Sequence, residues 1–151
     1  MSTLADFLSH TDFTLIDYQK TLIEAYPQHQ YGIVDAPTGR GKTWAISFAI
    51  IDACLKQQKK PRILWITPMR ALVRDTQHQL ERVFHFFFPE LRIISRTSDT
   101  STSQKKKIRN HEWDILLTTP ESLALFTTYS DTPAYFQTID TVVIDEWHSL
   151  L

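Results

Sequence analysis

Ala36-Pro37-Thr38-Gly39-Arg40-Gly41-Lys42-Thr43 is the stretch on which the reading of this chain turns. An apolar run, Tyr31-Gly32-Ile33-Val34-Asp35, precedes it, and a long apolar segment beginning at Trp44 follows. Strand, glycine loop and helix in that order is the context in which such a loop binds phosphate. Two of the chain's three glycines, Gly39 and Gly41, lie in the loop. Without Cβ atoms there, backbone N–H groups can turn inward and form an anion nest at a helix N-terminus. Lys42 then reaches the β- and γ-phosphates, and the Thr43 hydroxyl can hold Mg²⁺. Ala36 stands where the strict G-x-x-x-x-G-K-[ST] pattern has its first glycine. A turn that merely caps a helix is the alternative, and Gly-Lys-Thr after a strand-length run weighs against it.

With 151 residues, 42% hydrophobic and 22% charged, the chain has the makings of one globular domain with a sizeable core. A net charge of −1 neither demands nor excludes a polyanionic partner, so any nucleic-acid surface must be local. The single cysteine, Cys54, falls in the apolar segment after the loop and reads as a core filler; no disulfide within the chain can form. No apolar run has membrane-spanning length, and residues 1–13 lack the basic and apolar regions of a signal peptide, so the expected compartment is the cytoplasm and no membrane partner is expected.

Outward from the loop, strands alternate with helices. The pattern predicts helices over 17–25, 42–58, 71–88, 102–110 and 120–126, and strands over 31–35, 62–66, 91–95, 114–118 and 141–144. Pro27, Pro61 and Pro89 mark stops, and Pro120 occupies a helical first turn. Such alternation implies an α/β fold with a parallel sheet covered on both faces, and uniformly apolar strands fit that burial.

The second anchor is Val142-Val143-Ile144-Asp145-Glu146-Trp147-His148, an apolar strand ending in two carboxylates. Alone it would be an ordinary solvated strand end. In a phosphate-loop fold, Asp145 can sit beside the Mg²⁺ held by Thr43, and Glu146 can accept the proton of an attacking water.

Together, A-x-T-G-x-G-K-T at 36–43 and D-E-x-H at 145–148 resemble the motor core of superfamily 2 DExH-box helicases and translocases. Ile66-Thr67-Pro68-Met69-Arg70-Ala71-Leu72 looks like motif Ia, and Thr118-Thr119-Pro120-Glu121-Ser122-Leu123 like motif Ib. Arg96-Thr97-Ser98-Asp99-Thr100-Ser101, with Asp-Glu-Trp-His, is similar to the large helicase-related (Lhr) branch and its DNA-ligase-associated DExH helicases, which carry glycine where this chain has Ser98. The resemblance implies a three-layer P-loop NTPase fold, the first RecA-like lobe, over residues 1–151, and a role for ATP and Mg²⁺. It implies that Gln19 reads adenine, that Ala36, Pro37, Thr38, Gly39, Arg40, Gly41, Lys42 and Thr43 cradle the nucleotide with Arg40 pointing outward, and that His148 couples nucleotide state to the rest of the motor. Lys42, Asp145 and Glu146 would carry the catalysis.

The same resemblance puts motifs Ia and Ib along one nucleic-acid strand. Thr67, Pro68, Arg70, Thr97, Thr118, Thr119 and Pro120 are the candidates, offering hydroxyl or guanidinium donors and a helix N-terminus. Single-stranded DNA is favoured over RNA as the partner, with DNA repair as the setting. Simpler readings are a solvated charge at Arg70 and helix N-caps at the threonines. Lys105-Lys106-Lys107 with Arg109 reads as a solvated basic face. Trp44, Trp65 and the phenylalanines at 84–88 read as core, and His78 with His85 lacks a third ligand at metal spacing.

Only first-lobe motifs occur, so the expectation is a lobe that is C-terminally truncated after the DExH motif, lacking the motif III strand and the second RecA-like lobe with its arginine fingers. An arginine finger contributes about 10³–10⁵ in rate, so the chain alone is expected to be inactive or very weak. In such lobes the motif III strand lies between the runs at 31–35 and 141–144; without it they either pair directly or leave apolar edges open. A non-catalytic nucleic-acid-binding or interaction fragment is the other reading, with an RNA helicase or another phosphate-loop NTPase behind it.

Overall fold

A computed structural model describes residues 3–37, 39–130 and 132–150. Its chain forms two compact units, Met1–Lys60 with Gln79–Glu90 and Pro61–His78 with Leu91–Leu151.

The first unit is helical. Helix α1 (Leu4–Ser9) opens with a capping box in which Thr3 and Asp6 satisfy each other's backbone N–H groups. Helix α2 (Asp17–Ala25) runs into a 3₁₀ turn at Tyr26–Gln28, where Pro27 ends it. Helix α3 (Lys42–Lys56) buries Ala45, Phe48, Ala49, Ile50, Ile51 and Cys54, which explains its apolar sequence. Phe7, Phe13, Trp44, Phe48 and Phe86 form an aromatic cluster, Phe13 stacked on Trp44 with ring centroids 5.0 Å apart.

The second unit is a four-stranded parallel sheet: β1 (Ile63–Ile66), β2 (Ile93–Arg96), β3 (Ile115–Thr118) and β4 (Thr141–Ile144), in the order β2-β3-β1-β4. Helix α4 (Arg70–Phe87) follows β1 and, from Gln79 onward, belongs to the first unit; it buries the stripe Val73, Leu80, Val83 and Phe84 at helical spacing. Helix α5 (Thr102–Arg109) follows β2, α6 (Pro120–Phe126) follows β3, and α7 (Thr132–Phe136) precedes β4. Leu64, Ile66, Ile108, Trp113, Leu116 and Phe126 form the core beside the sheet. Each such buried side chain contributes about 1.5–3 kcal/mol. At the opposite end of the strands Asp114 takes the Arg92 backbone N–H and guanidinium at 2.8 and 3.0 Å, while Arg62 lies over the Trp113 ring.

Register matters more than any single element. Ile66 is level with Thr118 and Ile144, and Thr118 with Arg96. Residues 67, 97, 119 and 145 therefore leave the four strands along one edge of the sheet, the carboxyl edge at which parallel α/β sheets bind ligands.

One predicted strand does not form. Residues 31–35 join no ladder, and Tyr31 and Ile33 are 91% and 81% exposed. An apolar run becomes a strand only when a neighbour satisfies its backbone, and none does here among the described residues. Nor does it pair with β4, which pairs with β1 alone among the described strands. The expected two-sided burial likewise fails at β4: Val143 is buried, but Val142 and Ile144 are each about half exposed.

Candidate functional site

The glycine loop belongs to the first unit, and its geometry is set by backbone torsions. Gly39 and Gly41 have φ of 77° and 74°, and Gly41 is the left-handed N-cap of α3. The φ of Gly41 favours glycine, and a Cβ there would stand 3.0 Å from Gln19 Nε2, which would have to give way by a few tenths of an ångström. Helix α2 braces the loop from the side. Tyr18 Oη donates to the Arg40 carbonyl. Gln19, only 2% exposed, accepts the Ile16 N–H at 3.0 Å and donates to the Gly41 carbonyl at 3.4 Å. Lys42 Nζ donates to the Ala36 carbonyl at 2.9 Å, reaching back across the loop. Ala36 is buried and Arg40 exposed. Among the described residues the Thr43 hydroxyl has no hydrogen-bond partner, whereas its carbonyl takes the Ser47 hydroxyl. Thr38 lies outside the described residues.

The carboxylates belong to the second unit. The Asp145 N–H continues the β4 ladder by donating to the Ile66 carbonyl at 2.8 Å. The Glu146 N–H donates to Asp145 Oδ1 at 2.9 Å, and Glu146 has φ of 49°. A non-glycine residue held in the left-handed region costs about 1–2 kcal/mol, and such strain gathers at functional sites. The next residues coil into a 3₁₀ turn at Trp147–Leu150, which returns His148 to Glu146, Nε2 to Oε2 at 3.3 Å. Sequence reading gave those two residues separate roles and missed their contact. The D-E-x-H spacing alone does not carry that signal, because residues i and i+2 do not stand over one another in a 3₁₀ coil, and Glu146 precedes the turn with a left-handed φ.

The candidates for nucleic acid divide. Arg70 is exposed at the start of α4, and Pro68 is half-buried beside it. Thr67, Thr118 and Thr119 are at most 1% exposed. The Thr118 hydroxyl donates to the Arg96 carbonyl at 3.1 Å, and Thr119 caps α6 by accepting the Ser122 N–H, with Pro120 in the first turn. The Thr97 hydroxyl accepts the Asp99 N–H at 3.3 Å. These threonines therefore shape the carboxyl edge, and the simpler reading of Thr119 as an N-cap describes what its side chain does. The Thr67 hydroxyl is buried without a partner among the described residues.

A family model for DEAD/DEAH box helicases matches residues 16–151. An ATP-dependent helicase Lhr-Core protein 2 of Thermococcus barophilus is 34% identical over 134 residues, covering 78% of this chain and 16% of that protein. An Lhr helicase/uracil glycosylase of Escherichia coli is 33% identical over 141 residues, 80% of this chain and 9% of that one. Among solved structures, Mycobacterium smegmatis helicase Lhr bound to ssDNA and AMP-PNP superposes with a TM-score of 0.78 at 29% identity, over 99% of this chain and 20% of that one. The DUF1998 helicase MrfA shares the fold, with a TM-score of 0.79 at 21% identity over 96% of this chain and 23% of that one. This chain thus spans a fifth or less of the curated relatives it matches.

Proposed function

The chain belongs to the DEAD/DEAH box helicase family, and from that premise we propose that it is the ATP-binding RecA-like lobe of an ATP-driven helicase or translocase of the Lhr type, acting on single-stranded DNA. The observation that carries the proposal is the loop: two left-handed glycines at the N-terminus of α3, a lysine with its ammonium inside, and next to it a threonine hydroxyl with no partner among the described residues.

That donor set fits Mg·ATP. Lys42 would exchange the Ala36 carbonyl for phosphate oxygens, and the backbone N–H groups turned by Gly39 and Gly41 would add donors. Thr43 and Asp145 would hold the Mg²⁺, whose charge helps to neutralise the phosphates. Gln19 braces Gly41 and keeps donor capacity for the base. Glu146 would take the proton of the attacking water, and His148 would orient its carboxylate through their contact. Arg70, Pro120 and the N-terminus of α6 would meet the DNA backbone, together with Pro68, Thr97 and the main chain at Thr67, Thr118 and Thr119. DNA is favoured because a similar solved protein is described with ssDNA. No helix among the described residues is long and apolar enough to cross a membrane, and we take the cytoplasm as the working compartment. Efficient turnover would need arginines from a second lobe.

Single-turnover ATP hydrolysis, with and without single-stranded DNA, tests this reading. Saturable Mg·ATP binding with slow hydrolysis that DNA alters supports it. DNA binding with no nucleotide binding would instead make the chain a non-catalytic recognition module.

A further inference from the structure

Three cations gather around one phenol at the β2 margin of the sheet. Arg96 is 7% exposed, with its guanidinium 5.4 Å from the Phe126 ring centre and 5.7 Å from that of Tyr129. Its Nη2 donates to the Tyr129 hydroxyl at 3.4 Å. The Arg109 guanidinium sits 5.1 Å from the same Tyr129 ring. Lys105 lies one helical turn before Arg109 on α5 and adds its charge. The phenol's pKa falls below the ordinary 10.0, first through the Arg96 hydrogen bond, then through the charges of Arg96, Arg109 and Lys105 outweighing its burial.

Among the described residues, no carboxylate pairs with any of these three cations. A buried guanidinium that finds no counter-charge among the described residues is costly there, and like charges at i,i+4 on a helix add to the cost. Stacking on two aromatic faces offsets part of it. An anion would offset the rest, and a guanidinium's fixed fork of N–H donors suits a phosphate. The Arg96 carbonyl is bonded to Thr118, which ties the cluster to the carboxyl edge of the sheet.

We propose that Arg96, Lys105, Arg109 and the Tyr129 hydroxyl form a phosphate-binding site at the end of β2, and that the phosphate it takes belongs to a nucleic-acid backbone. The anion site stands on its own geometry; the nucleic-acid source rests on the function proposed above. The site divides the basic run of α5 into Lys105 and Arg109, which serve it, and Lys106 and Lys107, which do not.

The test measures binding of a fluorescein-labelled oligothymidylate to the full chain across a salt series, beside thermal melts with and without inorganic phosphate. Lys105→Ala, Arg109→Ala and Tyr129→Phe are compared with Lys106→Ala and Lys107→Ala, all exposed or conservative changes whose folding circular dichroism verifies. Lys105→Ala and Arg109→Ala should each weaken binding about fivefold at low salt and lower the slope of log K against log salt by about 0.7. Tyr129→Phe should weaken it less, and Lys106→Ala and Lys107→Ala should leave it near wild type. Inorganic phosphate should raise the melting temperature of wild type and lose that effect in the Lys105→Ala/Arg109→Ala double variant. Equal losses in all four charge variants would overturn the site in favour of a diffuse basic face. Loss of DNA binding in Arg70→Ala, with Lys105→Ala and Arg109→Ala unchanged, would overturn the site while sparing the proposed DNA path. A phosphate-dependent melt in a chain that binds no oligonucleotide would overturn the nucleic-acid source alone.

Discussion

Residues 39–43 and residues 145–148 carry the two halves of the proposed nucleotide chemistry, and they are held in opposite ways. The first group takes its shape from left-handed glycines and bonds from Tyr18 and Gln19 on α2, and the run before it joins no ladder among the described residues. The second hangs from a ladder: Asp145 is bonded to Ile66, the last residue of a strand buried along its whole length. A phosphate loop can thus be shaped by torsions and a few bonds from one neighbouring helix, whereas a strand-end carboxylate needs the sheet. The runs 31–35 and 63–66 make the same point, since both are apolar and only the second has neighbours on both sides.

The largest effect is expected at the ladder-held end. In a protein joining this chain to a second RecA-like lobe, Glu146→Gln should keep Mg·ATP affinity yet lower steady-state hydrolysis about 10²–10⁴-fold. Equal hydrolysis by wild type and variant would remove Glu146 from the general-base role. At the torsion-held end, Gly41→Ala should cost about 1–2 kcal/mol in urea unfolding from φ alone, with a further cost against Gln19. Adding Gln19→Ala should relieve the crowding and leave the torsional cost; a neutral Gly41→Ala would mean that the torsion does not hold the loop. Glu146→Gly should stabilise the chain by about 1 kcal/mol, because the left-handed φ then carries no penalty. A destabilised variant would show that the turn is held by side-chain contacts instead.

The smallest effect concerns the amino end of the sheet. Burial pushes the Asp114 carboxyl upward, but the side-chain and backbone hydrogen bonds from Arg92, with the charges of Arg92 and Arg62, outweigh it and leave its pKa below 3.8. A depressed carboxylate stabilises the fold above its unfolded pKa and loses that contribution as pH falls through the folded value. Thermal melts should therefore show wild type losing stability relative to Asp114→Asn below about pH 4 and holding a constant advantage above about pH 5. A difference independent of pH would assign Asp114 a packing role only.

What the sequence made legible follows the same division. Gly-Lys-Thr, Asp-Glu-Trp-His and the Thr119-Pro120 cap are local patterns, and four of the five expected strands and the five expected helices formed near their predicted bounds. The run 31–35 misled because pairing is decided by distant chain, not by apolar content. The threonines of motifs Ia and Ib looked like open donors, and the sheet register buries them at 0–1% exposure. Tyr18's bond to the loop and the gathering of Arg96, Arg109 and Tyr129 span 13 to 33 residues of sequence, beyond what spacing reveals.

Titration calorimetry of Mg·ATP into the chain and into Lys42→Ala is the most direct test of the account. Lys42 is the cation that reaches into the loop, and a charge-assisted hydrogen bond contributes about 1.5–3 kcal/mol. Wild type should show saturable one-to-one binding, with an affinity about 10- to 100-fold lower in Lys42→Ala. Equal affinities, or no binding by wild type, would contradict the account.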